Sequence, residues 1–284
     1  MNQTVRLSAC LAMLLCIFNS PCEAGESTLI NNVSYSSVTA LGYTEANTKL
    51  VYGTDNPELQ YGLLWLPANM APVEKAPLIV LIHGGCWLNQ FDIKHTFPLS
   101  SALAEAGYAV WSLEYRRTGD TGGGWPGSFN DIKQGLAFTT KLQDYPVDTD
   151  RMLIMGHSAG GHLALLAAAE SDGIHAVVGL AAITNIIEYS RGKNSCQTAT
   201  IGFMGGEYES NAAAYHAANP AGKPPHRNTM LLQGDIDSIV PPEQANLQGA
   251  TTRIFGGAGH FDWVHPGSGA FTSLLSTLEG LLEQ

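Results

Sequence analysis

The sequence predicts an α/β fold: a mostly parallel central sheet with helices on both faces and a short lid-like insertion. Three features carry that expectation. Six short apolar runs rich in Val, Ile and Leu recur along the chain, and runs of that length bounded by Gly or Pro read as strands buried on both faces. Helix-length amphipathic stretches alternate with them, the order that joins parallel strands through helical crossovers. One longer interval breaks the rhythm and exceeds an ordinary connection.

The first 24 residues stand apart. Arg6 precedes an apolar stretch over 7–18, and Cys22-Glu23-Ala24 follows with small residues at the two positions a signal peptidase reads. This is the order of a secretory signal cleaved after Ala24, and the stretch is short for a bilayer span. "LSAC" (7–10) resembles a lipoprotein box but precedes the apolar stretch instead of following it, so no stable membrane anchor is expected. The mature chain, 25–284, reads as a single domain exported to a periplasm or secreted.

After an irregular start, "LQYGLLWLP" (59–67) reads as an antiparallel edge or near-edge strand. The strands that follow are "PLIVLIH" (77–83), "YAVWSLEY" (108–115), "RMLIMG" (151–156), "HAVVGLAA" (175–182), "NTMLLQG" (228–234) and "TTRIFGG" (251–257). Helices are expected near 97–106, 128–143, 159–171, 241–248 and 268–282. The interval 183–226, rich in Gly, Ala, Asn and Pro, is the lid-like insertion.

The formal net charge of -11 argues against nucleic acid or an anionic membrane as partner, since both attract basic surfaces. It does not identify a substrate. Of the five cysteines, Cys10, Cys16 and Cys22 fall in the signal, leaving Cys86 and Cys196. An oxidising compartment permits a bridge between them, but two cysteines do not make a disulfide framework, and the expectation leans against one.

In such sheets ligands sit beyond the C-terminal strand ends, and that is where the reactive residues fall. "GHSAG" (156–160) sets Ser158 between a strand and the Ala/Leu-rich helix "HLALLAAA". Its glycines allow a sharp turn that exposes the hydroxyl, and the helix N-terminus aims N–H groups at the same point. "HGGCW" (83–87) follows another strand. A Gly-rich turn of that type supplies backbone donors for an oxyanion, here the amides of Gly85 and Cys86 with that of Ala159. His83 is expected to brace the turn. A serine hydroxyl needs an imidazole base, and the imidazole needs a carboxylate. With the chain order Ser, Asp or Glu, His, the base is His260 in "GAGHFDW", and the acid is Asp235 or Asp237 in "LLQGDIDSIVPP". Spacing does not choose between the two, because an extended chain repeats its side-chain direction every second residue. His265 reads as structural or surface, His157 as packed beside the site, and His162 as a satisfied, partly buried histidine. No H-E-x-x-H or close Cys/His cluster suggests a metal, and no cofactor is expected.

"HGGCW", "GHSAGGHLAL", "EYRRTG", "GWPGSFNDI", "GDIDSIVPPEQ" and "GAGHFDW" together resemble the α/β-hydrolase superfamily, in particular its HGGxW carboxylesterase group. That group includes kynurenine formamidase-like and feruloyl or acetyl-xylan esterase-like enzymes. The resemblance runs from about Val51 to the end of the chain. Its pattern G-x-x-D-x-x-V-P implies Asp237 as the acid, leaving Asp235 to shape or cap a turn. It also implies that Arg116 and Asp131 tie a strand end to the next helix. The chain departs from the pattern at Cys86, where an aromatic is usual, and in the Gly-rich "TGGGW" (121–125). The expected function is an exported serine hydrolase cleaving a small-molecule carboxylic ester, with Ser158, Asp237 and His260 as a triad. Trp87, Trp125, Trp263 and Phe203 are candidates to line the cleft. An amide-bond hydrolase and a non-catalytic binding protein of the same fold are the alternatives.

Overall fold

The computed structural model describes residues 30–68, 70–71 and 74–283, so the expected signal lies outside the described residues. A short helix α1 (Tyr35–Thr39) leads into strands β1 (Thr48–Val51), β2 (Tyr61–Trp65) and β3 (Ala76–Ile82). Helix α2 (Phe97–Glu105), strand β4 (Ala109–Leu113), helix α3 (Gly127–Ala137), strand β5 (Val147–His157), helix α4 (Ala159–Ala169) and strand β6 (Ala176–Leu180) follow. The sheet order is β1-β2-β4-β3-β5-β6, continued by β7 (Thr229–Gly234) and β8 (Thr251–Phe255). β1 and β2 run antiparallel to their neighbours, and every pairing from β4 to β8 is parallel. The near-edge, antiparallel character expected of 59–67 is what β2 shows.

The apolar runs divide their side chains between two cores, as alternate residues of a strand must. Leu78, Val80 and Ile82 of β3 pack with Ile154, Val177 and Leu231 under α3 and α4. Ile79 and Leu81 pack with Leu153, Val178 and Leu232 on the other face, covered by Leu99 and Leu103 of α2 and Leu274 and Leu278 of helix α8 (Gly269–Leu282). α4 is rich in Ala and Leu, the best helix formers, and is buried along nearly its whole length. Ser268 caps α8, its Oγ accepting from the Phe271 amide at 3.1 Å.

Two expectations need correction. β8 is the edge strand, and four of its five residues are exposed, so it is not buried on both faces. Its polar Thr-Thr-Arg start suits an edge open to solvent on one side. The helix expected over 241–248 shrinks to a 3-10 turn at Pro242–Ala245. There the Gln244 side chain and carbonyl are taken by the amides of Thr184 and Asn185 and the Thr184 hydroxyl, which stitches the segment to the end of β6. The insertion 183–226 is helical, comprising α5 (Ile186–Tyr189), α6 (Ser195–Met204) and α7 (Tyr208–Ala217). α6 begins with a capping box between Asn194 and Gln197.

Candidate active site

Ser158 sits at the junction of β5 and α4 with φ 57° and ψ -120°, a positive-φ backbone outside the left-handed helical well that costs an L-residue about 1–3 kcal/mol. Its amide donates to the Leu180 carbonyl at 2.8 Å. The flanking glycines are dictated by space. A Cβ on Gly156 would meet the Gly160 carbonyl oxygen at 2.2 Å, and one on Gly160 would meet that of Ile82 at 2.2 Å. The turn therefore thrusts Ser158 forward into a cavity of about 160 Å³. Ser158 Oγ has no hydrogen-bond partner among the described residues.

His260 lines the same cavity, and its Nδ1 lies 2.7 Å from Asp237 Oδ2. The carboxylate accepts a hydrogen bond from Nδ1–H, which leaves Nε2 as the basic nitrogen. Asp237 is itself pinned: Oδ1 accepts from the Ile239 and Val240 amides at 2.8 and 2.9 Å, and Oδ2 from Gln233 Nε2 at 3.2 Å. Asp235 points elsewhere, accepting from the Gly257 amide at 2.7 Å beyond the end of β8. The two aspartates thus part company as the resemblance implies.

The 83–87 turn is braced from several sides. His83 bonds Glu114 Oε1 through Nε2 at 2.9 Å and the Gly84 carbonyl through Nδ1 at 2.7 Å. Burial alone would raise the Glu114 carboxyl, but His83 and Arg117 outweigh it and hold the carboxyl below its ordinary value. Gly85 has φ 107°, and a Cβ there would meet Phe91 Cβ at 2.4 Å. Cys86 and Trp87 follow at φ 53° and 58°, two consecutive left-handed residues without glycine's freedom. Both are held by α6. Cys86 is disulfide-bonded to Cys196, and the Trp87 ring stacks on Phe203 with centroids 4.7 Å apart. The amides of Gly85, Cys86 and Ala159 have no acceptor among the described residues. Gly85 and Cys86 line the cavity, and Ala159 is buried directly behind Ser158.

The bridge departs from the sequence expectation, because a separation of 110 residues carries no sign that α6 packs against the turn. Closing so long a loop restricts the unfolded chain, and disulfides typically contribute about 2–4 kcal/mol. Urea unfolding with and without dithiothreitol should therefore differ by about 2–4 kcal/mol, with Cys196→Ala reproducing the reduced state. An unchanged midpoint contradicts the pairing.

Three histidines are buried neutral around this region. His157 donates from Nε2 to the His260 carbonyl at 3.0 Å, fixing the backbone of His260. Burial, with the charges of His260 and His95, holds its pKa well below the ordinary value. Burial likewise lowers His95 and His162 to about 4, and His162 Nε2 bonds the Ala218 carbonyl at 2.6 Å. Folded pKa values below the unfolded value of about 6.5 mean that this stability is complete above that pH. It is lost as pH falls toward 4, because the unfolded chain takes up the protons first. The urea midpoint should thus fall between pH 6.5 and 4, at up to about 1.4 kcal/mol per pH unit for each histidine. A flat midpoint over that range contradicts the buried neutral state.

The tryptophans expected to line the cleft are not in the cavity wall. Trp87 is fully buried behind the turn against Phe203 and His162. Trp125 stacks on Phe129 of α3, and Trp263 is buried edge-on to Phe255. Each packs its ring against another aromatic, Trp125 half-buried and the other two fully buried with Nε1 unpartnered among the described residues, since large aromatics fill cores as readily as they line sites. The aromatic wall comes instead from Tyr35, Phe91 and Phe261. Two residues inside the quoted stretches also hold others in position. Gln233 holds Asp237, and Asp262 accepts from the Asn32, Val33 and Gly259 amides at 2.7, 3.0 and 3.1 Å. His265 is buried, with Nδ1 accepting from the Gly267 amide at 3.1 Å. Among the described residues no group of three His, Cys, Asp or Glu side chains could hold a metal, and no helix is long and apolar enough to cross a membrane.

The BD-FAE family model matches residues 64–250. Among curated relatives, "Esterase LipQ" of Mycobacterium tuberculosis is 26% identical over 236 residues, covering 76% of this chain and 55% of that protein. The chain spans at most about half the length of the curated relatives it matches. Esterase B from Lactobacillus Rhamnosis superposes with a TM-score of 0.70 at 21% identity, over 88% of this chain and 91% of its own. A truncated carbohydrate esterase from gut microbiota superposes at 0.71 and 20% identity, over 85% and 98%. The fold common to these structures is that of the α/β-hydrolases.

Proposed function

The chain belongs to the BD-FAE family of α/β-hydrolase esterases, and from that premise we propose that it is an exported serine hydrolase of carboxylic esters. The observation that carries this reading is one cavity shared by a strained, forward-thrust Ser158 and a His260 whose other ring nitrogen is held by Asp237.

Ser158 Oγ attacks the ester carbonyl carbon while His260 Nε2 takes its proton. The carbonyl oxygen becomes an oxyanion, received by the amides of Cys86 and Ala159 with Gly85 beside them. Such donors are each worth about 10² to 10³ in rate. The C–O bond to the alcohol then breaks, and His260 returns the proton to the leaving oxygen. Water, deprotonated by the same Nε2, attacks the acyl carbon, the bond to Ser158 Oγ breaks, and His260 returns the proton to that oxygen as the acid leaves. Asp237 keeps the Nδ1 proton in place throughout and stabilises the imidazolium.

An ester is favoured over a peptide because no Lys, Arg, Asp or Glu among the described residues lines the cavity, and a peptide's terminal amine calls for a facing carboxylate. Export rests on the signal-like order of residues 1–24, and the Cys86–Cys196 bridge suits an oxidising compartment. The helices over 183–226 act as the lid. The test is a panel of p-nitrophenyl esters beside N-formylkynurenine and methyl ferulate. Ester turnover with little formamide cleavage is expected. Efficient cleavage of the formamide with inert esters would overturn the ester reading in favour of the amide one.

A further inference from the structure

The N-terminal segment reaches across the site. Its path is set by Asp262, whose carboxylate takes the Asn32 and Val33 amides together with that of Gly259 in the His260 loop. One side chain therefore ties both the segment and the loop of the base. A bridge between Ile30 and Ser268 anchors the start of the segment further. α1 then delivers Tyr35 to the cavity wall. The Tyr35 ring meets Phe91 edge-on at 5.7 Å and Phe261 at 5.5 Å, and lies 5.8 Å from His95. Phe91 comes from the loop after β3 and Phe261 from the loop of the base, so Tyr35 is the piece that closes the aromatic wall between them.

The space beside Ser158 is small. Its 160 Å³ lies well below the roughly 300–1,000 Å³ of sites that hold drug-sized ligands, and corresponds to about five water-sized groups. Among the described residues no Lys, Arg, Asp or Glu lines it; His95 and His157 are held uncharged by burial, and Leu88 and Ile239 add apolar surface to the aromatics, beside the polar Gln90 and Ser195. The acyl group stays bonded to Ser158 through the intermediate, so it is the part of an ester that this space is assigned to hold.

We propose that Tyr35 is a specificity-determining wall that restricts the enzyme to esters of short, uncharged acyl chains. The proposal rests on the ester-hydrolase reading above. α1 is five residues long with only Val38 buried, so trimming Tyr35 removes wall without removing core.

The test compares kcat/KM for p-nitrophenyl acetate, butanoate and octanoate in the wild type and in Tyr35→Ala, Tyr35→Leu and Tyr35→Phe, with urea midpoints alongside. A pocket's preference per methylene is worth about tenfold or more. The wild type should thus favour acetate and butanoate over octanoate by at least about tenfold, and Tyr35→Ala and Tyr35→Leu should raise the octanoate-to-acetate ratio of kcat/KM by about tenfold. Tyr35→Phe, which keeps the ring, should keep the wild-type profile. A flat wild-type profile overturns the proposal. So does an equal change on all three esters in both trimmed variants, or an unaltered preference in both. If no variant, nor the wild type, hydrolyses any ester, the underlying ester reading fails instead, and the two failures are told apart.

Discussion

Asp237→Asn should lower kcat by about 10⁴, the cost of replacing the orienting carboxylate of a triad by its amide, while Asp235→Asn leaves turnover near wild type. The reason is tautomeric. Asp237 Oδ2 accepts the His260 Nδ1 proton at 2.7 Å, and its Oδ1 is already committed to the Ile239 and Val240 amides. Those amides hold an acceptor oxygen in place, so an asparagine there turns its NH₂ toward His260. The ring then receives a donor at Nδ1, its proton moves to Nε2, and the base is lost. Asp235 has no part in this. Its carboxylate caps the Gly257 amide, a contact of the kind worth about 1 kcal/mol in stability. Steady-state turnover of p-nitrophenyl acetate in the two variants, both checked for wild-type unfolding midpoints, decides the matter. Loss of activity in Asp235→Asn with retention in Asp237→Asn would reverse the assignment.

The second large effect is on stability. Asp131→Ala should cost about 3–5 kcal/mol, the usual penalty for stranding one partner of a buried ion pair. Asp131 is fully buried on α3 and receives Arg116 Nε and Nη2 at 2.9 and 2.6 Å, the Arg116 amide at 2.9 Å and Gln60 Nε2 at 2.7 Å. The guanidinium left behind is mostly buried, with Asp55, 3.7 Å away and largely exposed, as its remaining acid. The pair locks the chain just after β4, where Glu114 holds His83 and Arg117, so destabilisation should reach the 83–87 turn. Urea unfolding of Asp131→Ala checks this. A loss below about 1 kcal/mol would place the pair among surface-like ion pairs.

The buried parallel strands were legible because each carries a continuous apolar run, and burial on both faces demands that pattern; β8, exposed at the edge, was not of that kind. The motif residues were legible because sharp turns require glycine: Gly156 and Gly160 face backbone carbonyls that leave no room for a Cβ. The residues that escaped act through contacts far apart in sequence. Asp262 lies 230 positions from Asn32, and nothing local to "HFDW" marks it as the post that holds the N-terminal segment. Tyr35 sits in "VSYSSV", a stretch with neither helical period nor reactive pattern. The tryptophans misled for the opposite reason, since a large aromatic beside a motif reads equally well as wall or as core. The Cys86–Cys196 bridge depends on α6 folding onto the turn, and the composition of 183–226 showed an insertion without showing its helices.

The central claim is that Ser158 is an activated nucleophile in this fold. Treatment of the purified, folded protein with a fluorophosphonate, followed by peptide mass spectrometry, tests it most directly. A single adduct on Ser158, absent after heat denaturation and in Ser158→Ala, is the predicted result. An unmodified Ser158 in protein shown to be folded would contradict it and leave a binding protein of the same fold.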